Sequence, residues 1–334
     1  MYYFIIDEIL IIPMAYNMFL FELSRTKSEV LYSQYDVQLK AEFLDLLISD
    51  IAHRRDIELI ALDMNGVTSP PRMLTKFREI NNDKVIFYNI QGDLLEKVFD
   101  EDLKTCVKHR NEKFLCYCFD DTQIYCIDTQ ASKLIDIYSI KLVEIIESIF
   151  DEEITKLDSS GMYSNRYFNV KNLFKNNESY LYIIYMLAHL IAECSTEFDA
   201  FICSSKNGAA IANIMGSLFN KNVIHIAGVG PKYSMIVGYH GKNIKKNGKY
   251  LYIYDFICTG SETKILTSLV NSYEAKIVLG VGIANYKNMR NEDGCIKKMI
   301  ALVNLQDEKI DYHLAGSEED LRKILGDKKH ENHG

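Results

Sequence analysis

The chain has 334 residues, 48% of them hydrophobic and 25% charged, which suffices for two domains with separate cores and argues against disorder. A net charge of −8 and a pI near 5.6 disfavour a general nucleic-acid binder, which is more often basic. Asp7 and Glu8 come early with no basic segment before them, and the uncharged run 9–21 is too short to span a bilayer and contains Pro13. A cytoplasmic protein is expected, with no nucleic-acid or membrane partner. The eight cysteines are scattered, with no Cys-x-x-Cys pair, and read as reduced thiols. Cys106, His109, Cys116 and Cys118 form the one cluster worth testing as a metal site. Their spacing matches no common zinc pattern, and Cys116, Cys118 and Cys126 read instead as same-face residues of two strands. No metal ligands are assigned.

The first block, 1–100, reads as a small α/β domain. Segments 2–6 and 8–12 read as short strands or one bent hairpin. Leu39, Phe43, Leu46, Leu47 and Ile51 give helical spacing over 38–53. The apolar strand 57–63 runs into an Asn65-Gly66 turn, and Pro70-Pro71 marks a further break. A short helix over 73–80, a strand over 84–90 and a helix over 94–99 complete the alternation. Residues 101–150 read as a connecting piece. Segments 114–119 and 123–127 are expected to pair as strands around Asp120-Asp121. A long amphipathic helix follows over 131–150, with Ile135, Tyr138, Leu142, Ile145 and Ile149 on one face.

Residues 151–325 alternate strongly. Helices are expected over 181–194, 209–218 and 262–270, and strands over 200–203, 223–227, 250–255 and 276–283. This pattern implies a parallel, Rossmann-like sheet with helices on both faces. The charged residues 326–334 read as a flexible tail.

The most informative stretch is Lys249-Tyr250-Leu251-Tyr252-Ile253-Tyr254-Asp255-Phe256-Ile257-Cys258-Thr259-Gly260-Ser261. A buried-looking strand delivers an acid to a sheet edge. A small-polar turn and a new helix then offer backbone N–H groups to an anion. The layout is that of a phosphate cup, with glycine allowing close approach.

This stretch resembles the phosphoribosyl-diphosphate (PRPP) motif of the type I phosphoribosyltransferases. The resemblance implies that Asp255 faces ribose hydroxyls and that Cys258, Thr259, Gly260 and Ser261 cradle a 5′-phosphate. Two positions depart from the motif. Tyr254 stands where the family has the first of two acids, and Glu262 replaces a common threonine.

Two further segments agree. Leu157-Asp158-Ser159-Ser160-Gly161-Met162-Tyr163-Ser164-Asn165-Arg166-Tyr167-Phe168-Asn169 resembles the start of orotate phosphoribosyltransferase-like domains, with Leu157 one residue further out. The resemblance implies a hood over the base made by Ser160, Gly161, Ser164, Tyr167 and Phe168. Taken alone, the same residues read as a polar turn entering a strand. Phe198-Asp199-Ala200-Phe201-Ile202-Cys203-Ser204-Ser205-Lys206-Asn207-Gly208 is a strand, a small-polar loop and a helix start. In the family that loop holds the diphosphate, which implies Ser204, Ser205, Asn207 and Gly208 as donors, with Lys206 offsetting charge. Segment 228–248 falls where the family has its mobile catalytic loop, with Lys232, Lys242, Lys245 and Lys246. An exposed hairpin with ordinary surface lysines fits it too.

The resemblance implies transfer of ribose 5-phosphate from PRPP, with Mg²⁺, to a nucleobase-like nitrogen acceptor. Asp255, Lys206 and Lys232 would be the catalytic residues, and the protein a homodimer. Ser159 occupies the place of the orotate enzymes' hood lysine, and Met235-Ile236-Val237 interrupts the loop's basic character. Ile283-Ala284-Asn285-Tyr286 offers no arginine for a carboxylate. A neutral base, or none, fits better than orotate. The alternatives are a non-catalytic PRPP- or nucleotide-binding regulator and a pure scaffold. In the first block, Leu62-Asp63-Met64-Asn65-Gly66-Val67-Thr68 and Val85-Ile86-Phe87 faintly resemble a STAS-type regulatory module. The family's Asp-Ser-Ser-Gly turn is absent, and Ser69-Pro70-Pro71-Arg72 occupies that region. An unrelated small α/β domain fits equally.

Overall fold

The computed structural model describes residues 2–6, 9–25, 37–53, 57, 59–69, 76–77, 85–104, 106–110, 114–119, 122–157, 160–227, 243–286, 298–308 and 310–331. They divide into two compact units, one reaching Tyr138 and the other starting at Ser139.

The first unit contains β1 (Phe4–Ile6), β2 (Ile9–Pro13), α1 (Met14–Arg25), β3 (Val37–Gln38), α2 (Ala41–Ala52), β4 (Leu59–Asp63), β5 (Val67–Ser69), β6 (Val85–Tyr88), α3 (Asp93–Asp102), β7 (Val107–Arg110) and β8 (Leu115–Cys118). Its main sheet has the order β1-β2-β4-β6-β8-β7. The central strands β2, β4 and β6 are parallel, and β1, β8 and β7 join antiparallel. Parallel strands covered on both faces need continuous apolar runs, and every residue of β2 and β4 is buried. Leu10, Ile12, Leu44, Leu62, Phe77, Val85, Phe87 and Phe99 belong to one core cluster. Each such aliphatic or aromatic side chain contributes roughly 1.5–3 kcal/mol on burial.

Two expectations are corrected here. Residues 123–127 do not pair as a strand; they open a long helix, α4 (Thr122–Ile149). The segment contains no glycine or proline, and buried Leu134, Ile137, Leu142, Ile145, Ile146 and Ile149 continue one helical stripe. That stripe outweighs the local β-propensity of Ile124-Tyr125-Cys126-Ile127. The partner of β8 is β7, through pairs such as His109 with Cys116. The expected helix over 73–80 lies mostly outside the described residues.

The second unit holds β9 (Phe150–Asp151), β10 (Thr155–Lys156), β11 (Tyr163–Ser164), β12 (Tyr167–Phe168), α5 (Val170–Lys175), α6 (Asn177–Glu193), β13 (Ala200–Cys203), α7 (Lys206–Leu218), β14 (Asn222–His225), β15 (Lys249–Ile257), α8 (Ser261–Ser272), β16 (Lys276–Asn285), β17 (Met299–Asn304), β18 (Leu314–Ala315) and α9 (Glu318–Glu331). Its main sheet has the order β14-β13-β15-β16-β17, and every pairing in it is parallel. The expected parallel sheet is thus present. Helices α6 and α7 pack together and against it. The α8 residues Leu266, Leu269 and Val270 cluster with Tyr250, Tyr252 and Tyr254 of β15. Residues 326–331, expected as tail, continue α9. Ser317 Oγ accepts from the Asp320 backbone at 3.1 Å and so caps the helix. Glu318–Arg322 and Glu319–Lys323 pairs one turn apart each add about 0.3–0.5 kcal/mol.

The strand order fixes where a ligand can sit. From β13 the chain crosses through α7 to β14 on one side, then returns to β15 on the other. Connections diverge at the β13–β15 pair, and divergence opens a crevice at the carboxyl ends of those two strands.

Candidate functional site

Two of the expected segments end in that crevice. After β13 the chain turns through Ser204 and Ser205 into α7. Ser205 is the N-cap: its Oγ accepts from Gly208 N at 2.8 Å, which satisfies one of the helix's free N–H groups. The same hydroxyl donates to Asp255 Oδ1 at 3.2 Å, and Asn207 Nδ2 donates to Asp255 Oδ2 at 3.0 Å. Both carboxylate oxygens of Asp255 are therefore aimed by the loop after β13. Gly208 permits this approach, because a Cβ there would lie 2.8 Å from Ser205 Oγ and 3.1 Å from Ile253 O. Lys206 is exposed on the first turn of α7. Ser204 is buried, with its Oγ 3.1 Å from the Tyr252 hydroxyl.

Beyond Asp255 the strand ends and a tight turn starts α8. Gly260 sits at the helix N-cap with φ +73°, the left-handed region that glycine occupies without steric cost, and gives no side-chain cap. The first N–H groups of α8 have no partner within the helix. Thr259 Oγ1 and Ser261 Oγ stand 3.1 Å apart at its mouth, and Cys258 Sγ lies 3.6 Å from the Tyr312 hydroxyl. Glu262 is half-buried in the first turn. Burial, and then the charge of Asp255, push its carboxyl up to about 7.

Tyr254 is buried on the opposite face of β15 from Asp255. Its hydroxyl donates to Ile300 O of β17 at 2.7 Å. Burial raises its phenol well above the ordinary value.

The hood segment reaches this end of the sheet through Phe168, and through Ser164 by way of the Tyr312 hydroxyl. Phe168 is buried and stacks on Phe256, the neighbour of Asp255, with ring centroids 4.7 Å apart. Tyr312 joins them: its ring meets Phe150, Phe256 and Tyr286 at 5.7, 5.5 and 5.0 Å. Tyr167 points outward, 39% exposed. Ser160 and Gly161 form a separate turn, in which Gly161 N donates to Leu157 O at 2.7 Å and Gly161 adopts φ +72°. Ser164 is buried and bonds the Arg166 carbonyl. None of these last three is bonded to Asp255 or to the α8 turn among the described residues.

Arg166 had no role in the sequence reading. It is buried, paired with Glu147 and Glu152 at 2.6 Å each, with its guanidinium carbon 4.5 Å from the Phe150 ring centroid. Tyr312 was missed as well. It lies 144 positions beyond Phe168, so no local pattern joins the two.

Lys232, Lys242 and Met235-Ile236-Val237 lie outside the described residues. Lys245 and Lys246 precede the amino end of β15, about 20 Å along the strand from Asp255 at ~3.3 Å per residue. Lys246 pairs there with Glu274 at 2.9 Å. Among the described residues no group of three or more His, Cys, Asp or Glu is placed to hold a metal ion. No described helix is long and apolar enough to cross a membrane.

No model of a known protein family matches the sequence, nor does any curated protein. Several solved structures are similar over about half of this chain. An orotate phosphoribosyltransferase from Aeropyrum pernix is 14% identical with a TM-score of 0.42, and the match covers 51% of this chain and 96% of that one. An adenine phosphoribosyltransferase from Thermoanaerobacter pseudethanolicus is 16% identical with a TM-score of 0.38, covering 48% and 98%. A phosphoribosyltransferase from Corynebacterium diphtheriae is 13% identical with a TM-score of 0.38, covering 52% and 99%.

Proposed function

We propose that the second unit binds PRPP at the carboxyl ends of β13 and β15 and transfers its ribose 5-phosphate to a neutral nucleobase or related nitrogen acceptor. The observation that carries this reading is the placement of Asp255. Its carboxylate is held at the divergence of the sheet by Ser205 and Asn207, one turn before the open N-terminus of α8.

In this reading Asp255 orients the ribose hydroxyls and stabilises positive charge as the bond from C1′ to the diphosphate breaks. Cys258, Thr259, Gly260 and Ser261 with the α8 N–H groups hold the 5′-phosphate. Ser204, Ser205, Asn207 and Gly208 line the diphosphate side, and Lys206 and Lys232 offset charge on the departing pyrophosphate. Mg²⁺ enters as part of the substrate, carried on the diphosphate. A C1′–N bond forms as pyrophosphate leaves, and the acceptor nitrogen gives up its proton. Phe168 stacked on Phe256 gives this end of the sheet an apolar surface, which suits an uncharged ring better than a charged one. The first unit serves as a regulatory or dimerisation module, and the protein works as a homodimer.

A second reading has a specific observation behind it. Tyr254 spends its hydroxyl on Ile300 O, so the motif's usual first acid has no substitute there. A protein that binds PRPP without turnover fits that replacement.

The test is pyrophosphate release from Mg²⁺–PRPP with a panel of purine and pyrimidine bases. Base-dependent release establishes the transferase. PRPP binding without release with any base selects the regulator, and absence of PRPP binding removes both.

A further inference from the structure

The α8 turn contains one group that works against an anion. Glu262 stands in the first helical turn, where N–H groups would otherwise meet a phosphate, and it is half-buried. Among the described residues it has no hydrogen bond and no ion pair. The charge acting on it is the Asp255 carboxylate of β15, and Glu262 in turn acts on the buried Tyr252 hydroxyl of the same strand. Asp255 cannot swing away, because Ser205 and Asn207 hold both its oxygens. The Tyr252 hydroxyl is shared between Ser204 and Thr263. Glu262 is thus a partly desolvated carboxyl in the first turn of α8 that feels the charge of Asp255 at the end of β15. A phosphate arriving there adds a third negative group. The least costly way to admit it is to neutralise the carboxyl that is not held by donors.

We propose that phosphate binding at the α8 turn is coupled to protonation of Glu262, so that the ligand enters together with one proton. The proposal rests on the phosphate-cup reading above and specifies how that same cup is regulated. Protonated, Glu262 becomes a hydrogen-bond donor toward a phosphate oxygen, as the usual threonine hydroxyl would be. Ionised, it repels the phosphate at short range in a partly dry site. Anion occupancy then falls as pH rises through the neutral range, where the Glu262 carboxyl titrates at about 7.

The experiment is calorimetric titration of the full chain with ribose 5-phosphate and with Mg²⁺–PRPP between about pH 6 and about pH 8.5, in buffers of different ionisation enthalpy. Wild-type affinity should drop about thirty-fold across that range, with close to one proton taken up per ligand on the alkaline side. The ligand's own phosphate gains charge over the lower part of this range, which acts in the opposite direction. Glu262→Gln isolates the contribution of the side chain: it should keep only the ligand's own pH dependence below about pH 7 and show neither loss of affinity nor proton uptake on the alkaline side. Glu262→Thr serves as a second variant with the same expectation. Wild-type binding with no proton uptake on the alkaline side, or the same loss of affinity above about pH 7 retained in both variants, overturns the coupling and leaves the phosphate-cup reading in place. No binding of either ligand by wild type or variants at any pH overturns the cup reading, and the coupling with it.

Discussion

Tyr254 and Gly282 face each other across the β15–β16 pair, and the tyrosine ring occupies the space that a side chain on Gly282 would need. A Cβ built on Gly282 would lie 2.0 Å from Tyr254 Cε2. The absent side chain is thus what allows a buried tyrosine next to Asp255 in the sequence. Gly282→Ala should displace the ring and break its bond to Ile300 O, destabilising the second unit by about 1–3 kcal/mol. The urea midpoint checks this. A midpoint within error of wild type would mean that the ring has another place to go.

Asp255→Asn keeps the shape of the side chain and removes its charge. Asp255 accepts at both oxygens, from Ser205 and from Asn207, and an amide keeps only one acceptor, so one of these bonds weakens and the other is lost or reversed, which should cost about 1–3 kcal/mol of stability. Base-dependent pyrophosphate release should be lost. Unchanged turnover in a folded variant would remove Asp255 from the proposed mechanism.

Gly260→Val acts on the turn in two ways. The left-handed φ of +73° costs a β-branched residue about 1–2 kcal/mol, and the added methyl groups enter the mouth of the cup. Ribose 5-phosphate affinity should fall beyond detection while circular dichroism stays near wild type. Retained affinity would move the phosphate position elsewhere.

The first unit gives a prediction in pH. Asp63 is buried at the end of β4 and accepts from Asn65 N at 2.9 Å, from Asn89 Nδ2 at 3.2 Å and from the Tyr138 hydroxyl. Burial outweighs these bonds and raises its carboxyl above the ordinary 3.8. A raised folded-state value means the native state holds the proton more tightly than the unfolded one. The associated stability is full below the unfolded value of 3.8 and is lost as pH rises through the folded value. Asp63→Asn should remove this pH dependence and be at least as stable as wild type near neutrality, seen as a flatter curve of denaturation midpoint against pH. A variant with the same slope as wild type would show that the proton is bound elsewhere.

The second unit was legible because its strands carry local punctuation. Ala200-Phe201-Ile202-Cys203 is a short apolar run closed by two serines, and the run at 249–257 closes on small polar residues and Gly260. Strand, turn and helix follow from such signals without tertiary information. The segment 123–127 was not legible, because its β-branched and aromatic residues favour a strand locally while the stripe that makes it helical lies downstream of it. Tyr312 and Arg166 were invisible for a different reason: each acquires its surroundings only when distant segments meet. The consequence of Tyr254 was half visible. The missing acid could be read from the sequence, but its bond to Ile300 O and its dependence on Gly282 could not.

Side chains of β15 alternate between two faces, with Tyr250, Tyr252 and Tyr254 toward α8 and Asp255 turned toward the start of α7. Where the chemistry can occur is therefore a matter of odd and even. Gain of a single residue between Lys249 and Asp255 would bring Tyr254 to Ser205 and Asn207, loss of one would bring Phe256, and either would turn the carboxylate toward the apolar layer under α8. Evolution can change the identity of almost any residue along this strand more safely than it can change its length by one.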